Sequence, residues 1–231
     1  MHKSGKQWGT LALLGLFIFH GLCAQTAWAA RRDPSAMKRI LVLGDSLSEG
    51  FSLKSSEAWP VLIVEKLRSA GFINFEVTNA SQSGGTTDGG LARLPPHLKR
   101  RVDIFVLELG INDAFRGVPV PQIEQNLQEI IDRVRAKYPA VQIVIAGLQL
   151  PAHNEDDYIR DFGRMYVDLA AKNHAAIVPY LLKGVAGNPL LNLGDRIHPN
   201  AAGHKILAQN VWEILEPIAR EAAQSRNAAA P

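Results

Sequence analysis

The feature that most constrains this chain is a set of short apolar runs that do not alternate. They occupy residues 40–43, 104–107, 143–148 and 175–178, with 75–78 as a weaker fifth. A strand with one wet face alternates apolar and polar side chains, whereas a strand covered on both faces does not. Runs of this length therefore read as strands of a parallel sheet. The segments between them carry helical periodicity. Trp59, Leu62, Ile63, Leu67 and Ala70 share one face, and Gly71 supplies a stop. Ile123, Leu127, Ile130 and Val134 repeat at intervals of three and four before Tyr138-Pro139. Phe162, Met165, Tyr166 and Leu169 make a third stripe. Leu207, Val211, Ile214 and Ile218 make a fourth, which Pro217 is expected to kink or end. This alternation predicts an α/β fold: a three-layer α/β/α sandwich around a mostly parallel five-stranded sheet.

The first residues do not belong to this pattern. Lys3 and Lys6 precede a nine-residue apolar stretch, 11–19, and Ala27-Trp28-Ala29 has the small-x-small form of a cleavage site. Residues 1–29 thus read as a cleavable signal peptide, cut after Ala29, and the protein is expected in the periplasm or outside the cell. A retained anchor is the alternative, but nine apolar residues are too few for a helix to cross about 30 Å of hydrocarbon. Residues 30–37 are expected to be a linker, 38–221 one domain and 222–231 a fraying tail. Cleavage would remove Cys23, the only cysteine. The mature domain would then hold no disulfide and no thiol nucleophile, and would depend on packing. The chain carries 25 Lys and Arg against 22 Asp and Glu, and two of those lysines lie in the signal. The one short basic cluster, Lys99-Arg100-Arg101, reads as a solvated helix end. No basic stripe points to a nucleic-acid partner. A monomer without stable membrane insertion is expected.

In open parallel sheets, ligands bind beyond the carboxyl ends of the strands, so the residues that follow each run matter most. They are Gly44-Asp45-Ser46-Leu47-Ser48, then Asn79-Ala80-Ser81-Gln82-Ser83-Gly84-Gly85-Thr86, then Gly110-Ile111-Asn112-Asp113, then Gln149-Leu150-Pro151-Ala152-His153. Before the last helical stripe stands Asp195-Arg196-Ile197-His198-Pro199-Asn200. Ser, Gly, Asn, Asp and His are the parts acyl transfer needs. A serine hydroxyl needs a base within hydrogen-bond reach. Imidazole suits that role, with an unperturbed pKa of about 6.5. A carboxylate on the other ring nitrogen fixes the tautomer and stabilises the imidazolium. Backbone N–H groups of a tight Gly loop and an Asn amide can hold the oxyanion, each donor worth about 3 kcal/mol of barrier. Taken singly, the same residues have plain structural readings: Ser46 as a helix cap, Gly84 as a turn glycine, Asn112 and Asp113 as turn residues. Asp45 reads as a hydrogen-bonding residue of the tight turn. His97, His174 and His204 read as surface or packing residues. His198 and His204 are six apart, which is no usual metal pair, and no metal or cofactor is expected.

Gly44-Asp45-Ser46-Leu47, Ser83-Gly84-Gly85-Thr86, Gly110-Ile111-Asn112-Asp113 and Asp195-Arg196-Ile197-His198-Pro199 come in the order of the four blocks of the SGNH, or GDSL, hydrolases, which this chain resembles. Their spacing, with Asn79-Ala80-Ser81 and Gly89-Gly90-Leu91-Ala92-Arg93-Leu94-Pro95, is most similar to the thioesterase I, lysophospholipase L1 and arylesterase branch. The resemblance covers 38–218 and implies the flavodoxin-like SGNH hydrolase fold. It implies that Ser46 is the nucleophile and that His198 is the base and later the acid. It implies that Asp195 orients His198, and that the N–H groups of Ser46 and Gly84 with the Asn112 amide form the oxyanion hole. The chain has no Gly-x-Ser-x-Gly elbow, which speaks against the α/β-hydrolase fold. Three positions depart from the commonest pattern: Gly85 stands for Asp, Ile111 for Gly or Thr, and Arg196 for a small residue. His153 is the rival base and more plausibly lines the cleft entrance. Leu47, Ile111, Phe115, Leu150, Pro151 and His153 are candidate substrate contacts. The expected substrate is an acyl ester or thioester of a small molecule or lipid, since these rim positions are largely apolar. A carbohydrate O-acetylesterase on the same fold is one alternative, and a non-catalytic binding module is another.

Overall fold

Lys38–Leu43 forms β1, buried along its whole length. With it run β2 (Phe75–Asn79), β3 (Ile104–Leu107), β4 (Gln142–Ala146) and β5 (Ala176–Val178). All pairings are parallel, in the order β2-β1-β3-β4-β5. The computed structural model describes residues 37–151 and 157–224. The expected signal segment, the linker up to residue 36, His153 and residues 225–231 lie outside the described residues.

The helices are α1 (Ser46–Glu49), α2 (Trp59–Ser69), α3 (Thr87–His97), α4 (Ile111–Phe115), α5 (Val120–Lys137), α6 (Asp157–Lys172) and α7 (Ala201–Gln224). Helix α2 packs on α7, while α3 and α6 pack on α5. This pairing gives the two outer layers. Their inner faces bury Trp59, Ile63 and Leu67 of α2, Ile123, Leu127, Ile130 and Val134 of α5, and Phe162, Met165, Tyr166 and Leu169 of α6. The stripes read from the sequence on α5 and α6 are thus buried faces, whereas Ala70 of the first stripe is exposed. The buried face of α7 runs through Leu207, Val211, Leu215 and Ala219, leaving Ile214 and Ile218 half-buried.

The strand order decides where a site can form. The chain steps from β1 to one edge at β2, then returns past β1 to β3, β4 and β5. Right-handed crossovers in opposite directions leave on opposite faces of the sheet. The connections after β1 and β3 therefore diverge and open a crevice at their carboxyl ends. Register aligns those ends, with Val42 beside Asn79, Leu43 beside Leu107, Leu107 beside Ile145, and Ala146 beside Val178.

Helices α1, α3 and α4 carry no stripe in the sequence reading, β2 and β5 shift by one residue at one end, and two further elements differ at their carboxyl ends. β4 ends at Ala146 and not at Leu148, because Gly147 turns to bond Val178 and Leu181 (2.8 and 2.9 Å). Helix α7 runs through Pro217 to Gln224, so the proline does not end it and residues 222–224 are helical. Pro217 is exposed, as is Glu213 four residues earlier. The carbonyl that loses its partner thus meets water, while Val211, Leu215 and Ala219 hold the buried face on both sides of the proline. Among the described residues, no helix is long and apolar enough to cross a membrane.

Candidate active site

The turn after β1 is built around Asp45. Its Oδ1 accepts from the Leu47 N–H at 2.9 Å and caps α1. Gly50, left-handed at φ +87, ends this single helical turn. Ser46 is the first residue of α1, so its N–H has no helical acceptor. Its Oγ lies 3.0 Å from His198 Nε2, a residue 152 positions away in the chain. On the other side of the ring, His198 Nδ1 meets Asp195 Oδ2 at 2.7 Å. Asp195 also accepts from the backbone N–H groups of Ile197 and His198, at 2.9 and 3.0 Å. The bond to the His198 ring comes first among the causes that hold the Asp195 carboxyl down at about 2, followed by the two backbone bonds. The loop turns at Arg196, whose φ of +60 is left-handed. It is pinned by Leu193 N–H to the His198 carbonyl (2.8 Å) and by Asn200, whose side chain caps α7 through Ala202 and Gly203.

The other two blocks come to the same place. Asn112 is the second residue of α4, and its Nδ2 donates to Asp45 Oδ2 (3.0 Å) and to the Gly85 carbonyl (3.1 Å). Its amide, expected to face an oxyanion, is thus engaged by the turn before Ser46 and by the second block. Gly84 is left-handed at φ +73. Its carbonyl accepts from Arg116 at 3.2 Å, and its N–H makes no hydrogen bond among the described residues. Asp113 is more than a turn residue. Its buried carboxylate accepts from the Thr87 N–H at 2.9 Å and the Thr87 hydroxyl at 2.6 Å, tying α4 to the start of α3.

The candidate substrate contacts divide. Ile111 and Leu150 are half-buried, and Phe115 and Pro151 are exposed. Leu47 is buried in the core beside Ser46, with its N–H on Asp45 Oδ1. His204 is buried on α7, where its Nδ1 accepts from the Trp59 N–H at 3.1 Å. Burial holds that imidazole down to about 4, and it acts as a neutral packing residue.

Two residues escaped the sequence reading. Phe51 stacks on His198 with ring centroids 4.4 Å apart and planes at 35°. Its only sequence signal is one aromatic in the turn just past Gly50. Glu108 follows β3 and is completely buried. Its Oε2 accepts from the Asp45 N–H (3.1 Å) and the Ser48 hydroxyl (2.6 Å). Burial, then the neighbouring Asp45 carboxyl, push Glu108 well above the usual carboxylate range. Burial also raises Asp45, to about 7. A charged residue at the end of an apolar run was the available signal. Glu108 also explains Gly44: a Cβ there would lie 2.5 Å from Glu108 Oε2 and 2.7 Å from Ser48 Cβ.

Comparison with known proteins assigns the chain to a family. Residues 42–206 match the GDSL-like Lipase/Acylhydrolase family. Esterase TesA of Pseudomonas aeruginosa is 38% identical over 185 residues, which are 80% of this chain and 90% of that protein. Thioesterase 1/protease 1/lysophospholipase L1 of Escherichia coli is 36% identical over 185 residues, 80% of this chain and 86% of the relative. The crystal structure of TesA superimposes with a TM-score of 0.74, covering 78% of this chain and 99% of that one. The matched span runs from β1, which leads into Ser46, past His198 into α7, so the gathered blocks and the fold that gathers them point one way. The chain belongs to the GDSL-like lipase/acylhydrolase family and is a hydrolase of the SGNH esterase type.

Proposed function

We propose that this protein hydrolyses acyl esters and thioesters through a Ser46-His198-Asp195 triad. One observation carries the reading: the unbroken hydrogen-bonded line of 3.0 Å from Ser46 Oγ to His198 Nε2 and 2.7 Å from His198 Nδ1 to Asp195 Oδ2. His198 takes the Ser46 proton as Oγ attacks the acyl carbon. The carbonyl oxygen becomes negative and is held by the N–H groups of Ser46 and Gly84. Asn112 joins them by turning one amide hydrogen from the Gly85 carbonyl to the oxyanion. Collapse breaks the bond to the leaving oxygen or sulfur, which receives the proton from His198. Water, deprotonated by the same ring, then attacks the acyl-serine and releases the acid. Asp195 stays ionised throughout.

The substrate class follows from the rim. Phe51, just past α1, Phe115, at the end of α4, and Ile197, beside His198, are exposed apolar side chains on the segments that carry Ser46, Asn112 and His198. Together they favour an acyl chain over a sugar. The relatives named as esterase and as thioesterase and lysophospholipase support the same class. The test is a p-nitrophenyl ester series of increasing chain length, run beside Ser46→Ala and a fluorophosphonate probe. The expected result is turnover and labelling by the native chain, a preference for medium chains over acetate, and loss of both activities in Ser46→Ala. Undiminished hydrolysis by Ser46→Ala would refute the reading.

A further inference from the structure

Glu49, which no step above uses, ends the same helical turn that begins with Ser46. Its Oε2 accepts from the Ser83 N–H at 2.7 Å and also from the Ser83 hydroxyl. Ser83 directly precedes Gly84. The peptide plane that carries the Gly84 N–H begins at the Ser83 Cα, so its direction depends on how Ser83 is held. Gly84 and Gly85 have no Cβ to resist rotation. The loop is gripped at its other points: Gln82 N–H bonds the Gly44 carbonyl (3.1 Å), Gly85 N–H the Gln82 carbonyl (2.9 Å), Asn112 the Gly85 carbonyl and Arg116 the Gly84 carbonyl. Among the described residues, Ser83 is gripped through its N–H and hydroxyl by Glu49 alone.

From this we infer that Glu49 is a positioning residue. It ties the Ser83-Gly84 peptide to the turn that carries Ser46, so the nucleophile and the oxyanion donor keep their mutual aim. The inference rests on the roles proposed above for Ser46 and Gly84. Both bonds end on one oxygen, so an amide carbonyl can stand in for the carboxylate, and an alkyl group cannot. Loss of an oxyanion donor costs about 10²–10³-fold in turnover. A donor that is loosened and still present costs less, about 5- to 20-fold. A contact felt in the transition state and not in substrate binding lowers kcat and leaves KM alone.

The test measures kcat, KM and melting temperature for the full chain on p-nitrophenyl hexanoate, with Glu49→Leu, Glu49→Gln, Ser83→Ala and Ser46→Ala. Expected is a fall in kcat of about 5- to 20-fold for Glu49→Leu with KM within about twofold. Glu49→Gln should return to within about threefold of the parent, and Ser83→Ala should fall between the two, since its N–H bond survives. Melting should shift little, because Glu49 is exposed. Parental kcat in Glu49→Leu beside an inactive Ser46→Ala would overturn the positioning role alone. So would a defect confined to KM, one that tracks a fall in melting temperature, or one that Gln does not repair. An active Ser46→Ala would overturn the site reading and this inference with it.

Discussion

Glu108 shows what a single buried carboxyl does here. It lies under the Ser46 turn with its Oε1 unpartnered among the described residues. Burial raises it well above the usual carboxylate range, and its Oε2 serves as the acceptor for the Asp45 N–H and the Ser48 hydroxyl. Glu108→Gln keeps that acceptor but sets its amide NH2 where Oε1 has no partner among the described residues. It is expected to cost about 1–3 kcal/mol by urea unfolding. Glu108→Ala should cost about 2–4 kcal/mol, because the Asp45 N–H and Ser48 hydroxyl lose their acceptor. A Gln variant destabilised beyond the Ala variant would refute the acceptor role. Asn112 should be tested at the same scale. Asn112→Ala is expected to lower kcat about 10²-fold on a p-nitrophenyl ester, with the fold intact. At residue scale the sequence was legible where chemistry is written in residue types: Ser46, Asp195 and His198 stand out as types. Phe51 and Glu108 do not, because their parts depend on what lies against them.

At the scale of elements, each loop of the site is held by a short cap or clamp, and buried hydrogen bonds add to the apolar packing between helices. His204 on α7 and Trp59 on α2 make one of these bonds, at 3.1 Å. The imidazole is held down to about 4 in the fold, against about 6.5 when unfolded. The unfolded chain therefore binds more protons between those values, and stability from this site is full above pH 6.5 and lost as pH falls toward 4. The native chain should lose about 2–3 kcal/mol relative to His204→Gln between pH 7 and 4.5, measured by urea unfolding. A constant difference across that range would refute the assignment. The helical stripes give the buried faces of α5 and α6, because burial follows period, while on α7 Leu215 and Ala219 are buried in place of Ile214 and Ile218. That α7 continues past Pro217 is not legible in the sequence, because whether a proline ends a helix depends on which face carries it and whether the freed carbonyl reaches water.

Across the whole molecule, the site exists only while the sheet holds β1, β3 and the loop before α7 together. Ser46 and His198 are 152 residues apart and meet at 3.0 Å. Loss of esterase activity and loss of far-UV circular dichroism in urea should therefore coincide in one transition. Activity lost well before the helices melt would show that the site opens locally. The amino-acid order alone determined the layers: unalternating runs and period-3.6 stripes are local facts, and local facts persist in any fold that buries them. It also determined which residue types are available at each strand end. Only the tertiary structure decided which of them touch. The strand order sets β1 beside β3 and splits their connections to opposite faces, and that opening is where Ser46, Asn112, Gly84 and His198 converge. Distances of a few ångströms between remote residues arise from packing summed over the whole chain, and no short stretch of sequence contains them.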